Sequence, residues 1–285
     1  MKILITGAGG FLGSRLCEYL KRKGYDVYGL FHNVCDITDE EQVEKVMIVI
    51  RPDIVIHCAA VSDVSTCDKN KAVSQKINVD GSVNIAKMCG KIGAKMIFCS
   101  SDQVYFGSMK MNPHMETEEL FPKNTYGKQK LEAEQKITQY CDKTISLRLS
   151  WMYDTVYKDG MEHSNLFHNI REAIAQKKTV LLPVHDKRSI TDVWDVITNI
   201  EKFFEVPEGI YNCGSENKTG TYDLVSEIFG KEVIRPNKDA FIDHPRNLMM
   251  DSGKAQRYGI IFPSSLESLR ESAKRLRKEI EDEEM

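Results

Sequence analysis

Apolar positions in this chain follow two alternating rhythms. Short, nearly continuous apolar runs at residues 2–6, 26–30, 53–57, 95–100 and 144–149 are too brief for helices and predict buried strands. Between them, at 14–23, 40–50, 71–92 and 126–139, apolar residues recur every three or four positions, as on helices that cover a sheet with one face. Thr38 or Asp39 is placed to cap the second of these. Strand and helix in strict alternation predict an α/β fold, a parallel sheet doubly wound by crossover helices. Beyond residue 150 the rhythm loosens into helices near 165–176, 192–204, 222–229 and 265–281 and strands near 179–182 and 209–213. No linker-like stretch sets this part off, so a smaller α/β lobe made of non-contiguous pieces is expected.

The first strand runs into Gly7-Ala8-Gly9-Gly10-Phe11-Leu12-Gly13, and a helix follows at once. Strand, glycine loop and helix in that order let the backbone turn tightly and bring free helix N–H groups against a pyrophosphate. This predicts a Rossmann-type dinucleotide-binding domain over residues 1–150, with about 185–212 returning to it. Residues 151–184 and 213–285 then form the substrate-binding lobe. The second strand ends Leu30-Phe31-His32-Asn33, without the carboxylate that usually holds the ribose hydroxyls of NAD. The expected cofactor is therefore NADP, with Arg15 and His32 as partners for a 2′-phosphate and NAD as the alternative. Small residues Cys58-Ala59-Ala60 after the third strand let a loop pass close to a ligand.

Tyr126 and Lys130 stand four residues apart, on one face of the helix predicted at 126–139. A nearby ammonium stabilises a phenolate, so the pair suits a proton donor. Ser101 directly follows the strand at 95–100, on the sheet edge that also carries Gly10 and Ala59. Serine, phenol and ammonium are thus expected to converge beside a nicotinamide.

Composition narrows the picture further. Hydrophobic residues make up 41% and charged residues 28%, with a net charge of −3, so no basic face suited to nucleic acid is expected. The eight cysteines include no Cys-x-x-Cys pair, the pattern of a reduced cytoplasmic protein without disulfide framework or metal site. No segment reaches membrane-spanning length. A homodimer is the default oligomer.

These residues resemble the extended short-chain dehydrogenase/reductases over nearly the whole chain. The resemblance rests on Gly7 to Gly13, His57-Cys58-Ala59-Ala60, Asn78-Val79-Asp80-Gly81, Ser100-Ser101-Asp102 and Tyr126-x-x-x-Lys130, in that family's order. Within it the chain is most similar to the dTDP-4-dehydrorhamnose reductases and their sugar-nucleotide-binding relatives, through Ser100 to Tyr105, Arg148 to Tyr153 and Pro245 to Asp251. The resemblance implies reduction of the C4 ketone of a nucleotide-linked 4-keto-6-deoxy sugar by NAD(P)H, as in dTDP-rhamnose biosynthesis. Ser101 would bind the carbonyl, Tyr126 would give the proton, and Lys130 would hold the ribose. The implied cofactor shell takes in Gly7, Gly9, Gly10, Phe11, Leu12, Gly13, Arg15, His32, Asp36, Ile37, Cys58, Ala59, Ala60, Asn78, Tyr126 and Lys130. The implied substrate contacts are Ser62, Val64, Ser101, Gln103, Trp151 and Arg188.

Three departures from the family pattern lie on the substrate side. Gln103 stands where a tyrosine is usual, His244-Pro245-Arg246 replaces Arg-Pro, and His185-Asp186-Lys187 replaces Asp-Gln. Two other functions remain open. One is a nucleotide-sugar epimerase or dehydratase, although Asp102-Gln103 lacks a dehydratase's acidic pair. The other is a non-catalytic, NADP-binding regulatory protein resembling the methionine adenosyltransferase beta subunit.

Overall fold

The computed structural model of the chain describes residues 1–157 and 165–284. In order, its elements are β1 (Lys2–Thr6), α1 (Phe11–Arg22), β2 (Asp26–Leu30), α2 (Glu40–Ile50), β3 (Ile54–His57), α3 (Val64–Lys69), α4 (Lys71–Gln75), a π-helical turn (Lys76–Gly81), α5 (Ser82–Ile92) and β4 (Lys95–Ser101). A 3-10 turn (Asp102–Tyr105), α6 (Thr125–Ile137), β5 (Thr144–Leu149), β6 (Trp151–Tyr153), α7 (Leu166–Ala175), β7 (Val180–Pro183), β8 (Asp186–Arg188) and β9 (Ile190–Asp192) follow. The chain continues with α8 (Val193–Asn199), a 3-10 turn (Ile200–Phe204), β10 (Gly209–Cys213), α9 (Thr221–Phe229), β11 (Ile234–Asn237), β12 (Arg246–Leu248), α10 (Gly253–Gln256) and α11 (Ser265–Glu284).

Six strands form one sheet in the order β10-β5-β4-β3-β1-β2, with β2, β1, β3, β4 and β5 paired in parallel. Every residue of β3 and β5 is buried, which explains why these strands read as unbroken apolar runs rather than alternating ones. The order reverses between β1 and β3, so the loops leaving these two strands open a crevice at their carboxyl ends, the usual ligand position in such sheets. Val43 and Met47 of α2, Ile85 and Met88 of α5, and Ala133 and Ile137 of α6 pack with Leu4, Val55, Met96 and Phe98 of the strands in one core. Asp39, rather than Thr38, caps α2, accepting from the amides of Glu41 and Gln42.

The chain divides into two compact units. The first comprises Met1–Phe106, Leu120–Leu149 and Asn199–Tyr211; the second comprises Gly107–Glu119, Ser150–Thr198 and Asn212–Met285. The segment that returns to the first unit is therefore shorter than the 185–212 read from sequence. Residues 186–192 stay with the second unit because β8 pairs with β12 and β9 with β6. A second core gathers Tyr153, Phe167, Ile170, Ile190, Val225, Leu269 and Leu276 within that unit.

The single helix predicted at 71–92 is instead α4, a π turn and α5. The wide turn coincides with Asn78, whose side chain leaves the helix to clamp the loop after β3. Its Oδ1 accepts from the Val61 amide at 2.8 Å, and its Nδ2 donates to the Val61 carbonyl at 3.0 Å and to Gln129 Oε1 at 2.8 Å. Such π insertions often mark functional sites. Among the described residues no helix is long and apolar enough to cross a membrane.

Candidate active site

The glycine loop is shaped by contact with the loop after β3. Gly7 has φ +66°, and a Cβ there would lie 2.7 Å from the Ala59 amide nitrogen. A Cβ on Gly13 would meet the Gly7 carbonyl oxygen at 2.2 Å, so the first turn of α1 is pressed onto the loop. Gly10, the N-cap of α1, brings no capping side chain. This bare helix terminus beside a tight glycine turn is a cradle that suits a pyrophosphate.

The remaining residues of the expected cofactor shell differ in surroundings. Phe11 and Leu12 lie in the first turn of α1, Leu12 buried and Phe11 partly so. Arg15 is buried rather than reaching outward. Its guanidinium lies 4.3 Å from the Phe11 ring centroid and donates to the Phe11 carbonyl at 2.8 Å. His32 is exposed just past β2. Near it Asp36 is held below the usual carboxylate range, first by the Thr38 amide and also by His32. Ile37 is buried, and the Asn84 amide donates to its carbonyl. Cys58, Ala59 and Ala60 are half-buried, Ser62 is exposed, and Val64 begins α3.

Beneath the loop after β3 lies a buried chain of hydrogen bonds that sequence reading missed. Ala59 N–H donates to Thr6 Oγ1 at 3.2 Å, Thr6 Oγ1 lies 2.7 Å from His57 Nδ1, and His57 Nε2 lies 3.0 Å from Ser82 Oγ. Ser82 Oγ donates to the Asn78 carbonyl at 2.7 Å. Ser82 has thus used its only proton and must accept from Nε2–H, which leaves Nδ1 to accept from Thr6. Burial and the nearby Lys130 depress the imidazole to about 3, consistent with this neutral tautomer.

Ser101, Tyr126 and Lys130 are brought together at the carboxyl end of β4. Asn124 caps α6, accepting from the Gly127 amide at 2.6 Å, and its Nδ2 donates to Gln103 Oε1 at 2.8 Å. The other end of the Gln103 amide donates to Asp102 Oδ1 at 3.3 Å, so this expected substrate contact is engaged at one end with the α6 cap and at the other within its own turn. A Cβ on Gly127 would meet the Gln103 carbonyl oxygen at 2.3 Å. The helix carrying Tyr126 therefore sits directly on the turn that follows Ser101. Ser101 lies close enough to the Tyr126 phenol to favour its ionised form, and its Oγ donates to Asp102 Oδ1 at 3.2 Å. Lys130 Nζ donates to the Cys99 carbonyl at 2.8 Å, 4.7 Å from the Phe98 ring centroid and 5.7 Å from that of Tyr126.

The electrostatics depart from the sequence expectation. Burial, followed by the Asp102 carboxylate, pushes the Tyr126 phenol above its ordinary value, and the Ser101 hydrogen bond only partly opposes this. Burial lowers Lys130 to about 8. The phenol is thus held protonated, the state a proton donor needs.

A second buried cluster fixes the helix from behind. Glu134, one turn after Lys130, takes a bidentate pair from Arg148 at 3.1 and 2.8 Å and a hydrogen bond from Ser100; Arg148 also donates to the Tyr105 hydroxyl at 3.0 Å. The i, i+4 spacing of Lys130 and Glu134 was the available sequence signal.

In the second unit, Trp151 and Arg188 stack, the guanidinium 4.6 Å from the ring centroid. Two of the departures from the family pattern turn out to be partners. Arg246 Nε donates to buried Asp186 at 2.7 Å across the β8–β12 register, and Thr221 Oγ1 donates to the other carboxylate oxygen at 2.8 Å.

A family model described as RmlD substrate binding domain matches residues 1–276. A dTDP-4-dehydrorhamnose reductase from Mycolicibacterium smegmatis is 34% identical over 250 residues, 86% of this chain and 74% of that protein. The methionine adenosyltransferase 2 subunit beta of Xenopus laevis is 27% identical over 280 residues, covering 91% and 83%. The crystal structure of a dTDP-4-dehydrorhamnose reductase from Bacillus anthracis in complex with NADP aligns with a TM-score of 0.84 at 27% identity, covering 95% of this chain and 96% of that one.

Proposed function

The chain belongs to the RmlD substrate binding domain family, and from that premise we propose that it reduces the C4 ketone of a nucleotide-linked 4-keto-6-deoxy sugar. It is an NAD(P)-dependent oxidoreductase, with NADP as cofactor. When bound, the reduced nicotinamide supplies the hydride. The glycine loop and the bare N-terminus of α1 would hold the pyrophosphate, and Lys130 would hold the nicotinamide ribose. Ser101 Oγ donates to the substrate carbonyl oxygen, and Tyr126 Oη delivers its proton there as the alcohol forms. In the second unit Trp151 is read as a contact to the sugar and Arg188 to the diphosphate.

The observation that carries the reading is the gathering of Ser101, a protonated Tyr126 and Lys130 at one strand end, on the sheet edge that also bears the glycine loop. The paired Asp186 and Arg246 support a sugar or nucleotide different from that of the usual rhamnose-pathway enzyme, because they alter the second unit while the proposed catalytic residues are intact. NADPH absorbance followed with a panel of nucleotide-linked 4-keto-6-deoxy sugars tests this, with oxidation expected for at least one. Measurable NADPH binding without oxidation of any of them would favour the regulatory reading, which the similarity to the methionine adenosyltransferase subunit keeps in view.

A further inference from the structure

In β3 and β4 the parallel register pairs His57 with Phe98, and the next residue of each segment is a cysteine, Cys58 just past the end of β3 and Cys99 within β4. Residues in register leave a sheet on the same face, so Cys58 and Cys99 are lateral neighbours. Their Sγ atoms lie 3.5 Å apart, and both are free thiols. Cys58 is half-buried in the loop after β3 and is the more accessible residue of the two, whereas Cys99 is buried. The two sulfurs are unlike chemically. The hydrogen bond shared with Cys58 and the nearby Lys130 ammonium draw the Cys99 thiol pKa down, while the same bond and burial push Cys58 up.

We propose that Cys58 and Cys99 form a modification site, a reversible disulfide closed by a low-molecular-weight disulfide such as oxidised glutathione, and that closure weakens binding of the nicotinamide cofactor. The Cys58 thiolate, on the more accessible of the two residues, attacks the small disulfide, forming a mixed disulfide and releasing one small thiol. The Cys99 thiolate then attacks Cys58 Sγ and expels the second small thiol. The two cysteines together lose two electrons, the oxidant gains them, and each cysteine proton ends on a departing thiol. The raised pKa of Cys58 makes the first step the slow one, and the lowered pKa of Cys99 readies it to resolve the intermediate.

Closure must shorten the sulfur separation by about 1.5 Å, to the bonded distance of about 2 Å. That movement pulls on two fixed points. Ala59, next to Cys58, is tied through its amide to Thr6, and the Cys99 carbonyl holds Lys130 Nζ. The disulfide itself stands on the thiol geometry; its effect on the cofactor rests on the proposed roles of Lys130 and the loop after β3.

The full chain is incubated with oxidised glutathione, alkylated and mapped by mass spectrometry without reduction, and NADPH affinity is titrated before oxidation, after it, and after dithiothreitol. A peptide pair joined through Cys58 and Cys99 is expected, with at least a tenfold loss of affinity that dithiothreitol restores. Cys58→Ser should lose the cross-link and the oxidation-dependent loss, read as the ratio of oxidised to reduced affinity within the variant, and Cys99→Ser should stop at the small-thiol mixed disulfide on Cys58, while Cys17→Ser keeps both the cross-link and the loss. Absence of the cross-link, a Cys17–Cys58 bond in its place, or joined protein with unchanged affinity would overturn the proposal. Reduced protein that fails to bind NADPH speaks against the cofactor reading, and the mapped cross-link then still decides whether the pair is a modification site.

Discussion

Burial sets the protonation of the groups at the centre of the site. Tyr126, Lys130 and His57 all lie where water cannot solvate a charge, and each is displaced toward its neutral form. His57 yields a prediction about acid stability. Its folded pKa of about 3 lies below the ordinary 6.5, so between those values the unfolded chain binds a proton that the folded chain refuses. Its contribution leaves stability unchanged above the upper value and lowers it as pH falls through the window, by about 1.4 kcal/mol per pH unit. Urea titrations should therefore give His57→Asn a slope of unfolding free energy against pH flatter by about that amount; parallel slopes would show that His57 does not stay neutral. The sequence displayed Ser101, Tyr126 and Lys130 because their spacing has a chemical meaning. It concealed the His57 chain, since Thr6, His57, Ala59 and Ser82 meet only when β1, β3 and α5 are packed.

At the scale of elements, α6 is the part on which the site depends. Its start lies against the Asp102–Tyr105 turn with no room for a methyl group at Gly127. Gly127→Ala should cost about 1–3 kcal/mol of overpacking and lower turnover by shifting Tyr126, measured as a drop in urea midpoint together with kcat. A stable variant with full activity would show that the close approach is unimportant. Further along, buried Glu134 anchors the helix to β4 and β5 through Ser100 and Arg148. Glu134→Leu alone should destabilise by about 3–5 kcal/mol, because it strands the Arg148 charge, whereas the double variant Glu134→Leu/Arg148→Met should recover much of that loss. Equal unfolding free energies for single and double variants would contradict the buried pair. The apolar rhythm revealed the helices and central strands, since strands buried on both faces and amphipathic helices write their period directly. It missed β6, β8, β9 and β12, each three residues long, too short for any period. It also merged α4 and α5, because the π turn at Lys76–Gly81 is made by Asn78 contacts to the distant Val61 and Gln129.

For the whole molecule, the loosened rhythm past residue 150 led to an expectation of two lobes but carried no sign of where the chain passes between its two compact units, because the short pairings that keep residues 186–192 in the second unit are tertiary. Cofactor choice also belongs at this scale, since the glycine loop and the end of β2 must act on one molecule. Phe31, His32 and Asn33 put no carboxylate there, and Asp36 is already engaged by Thr38. NADPH should bind more tightly than NADH by about tenfold, or about 1.4 kcal/mol, in a fluorescence titration, and the reverse preference would reassign the end of β2. The proposed reduction rests finally on one proton. Single-turnover oxidation of NADPH by a nucleotide-linked 4-keto-6-deoxy sugar, compared between the natural protein and Tyr126→Phe, tests it directly. The rate is expected to fall about 10²–10⁴-fold with NADPH affinity nearly unchanged. A Tyr126→Phe variant that oxidises NADPH at the natural rate would contradict the assignment of the proton to Tyr126.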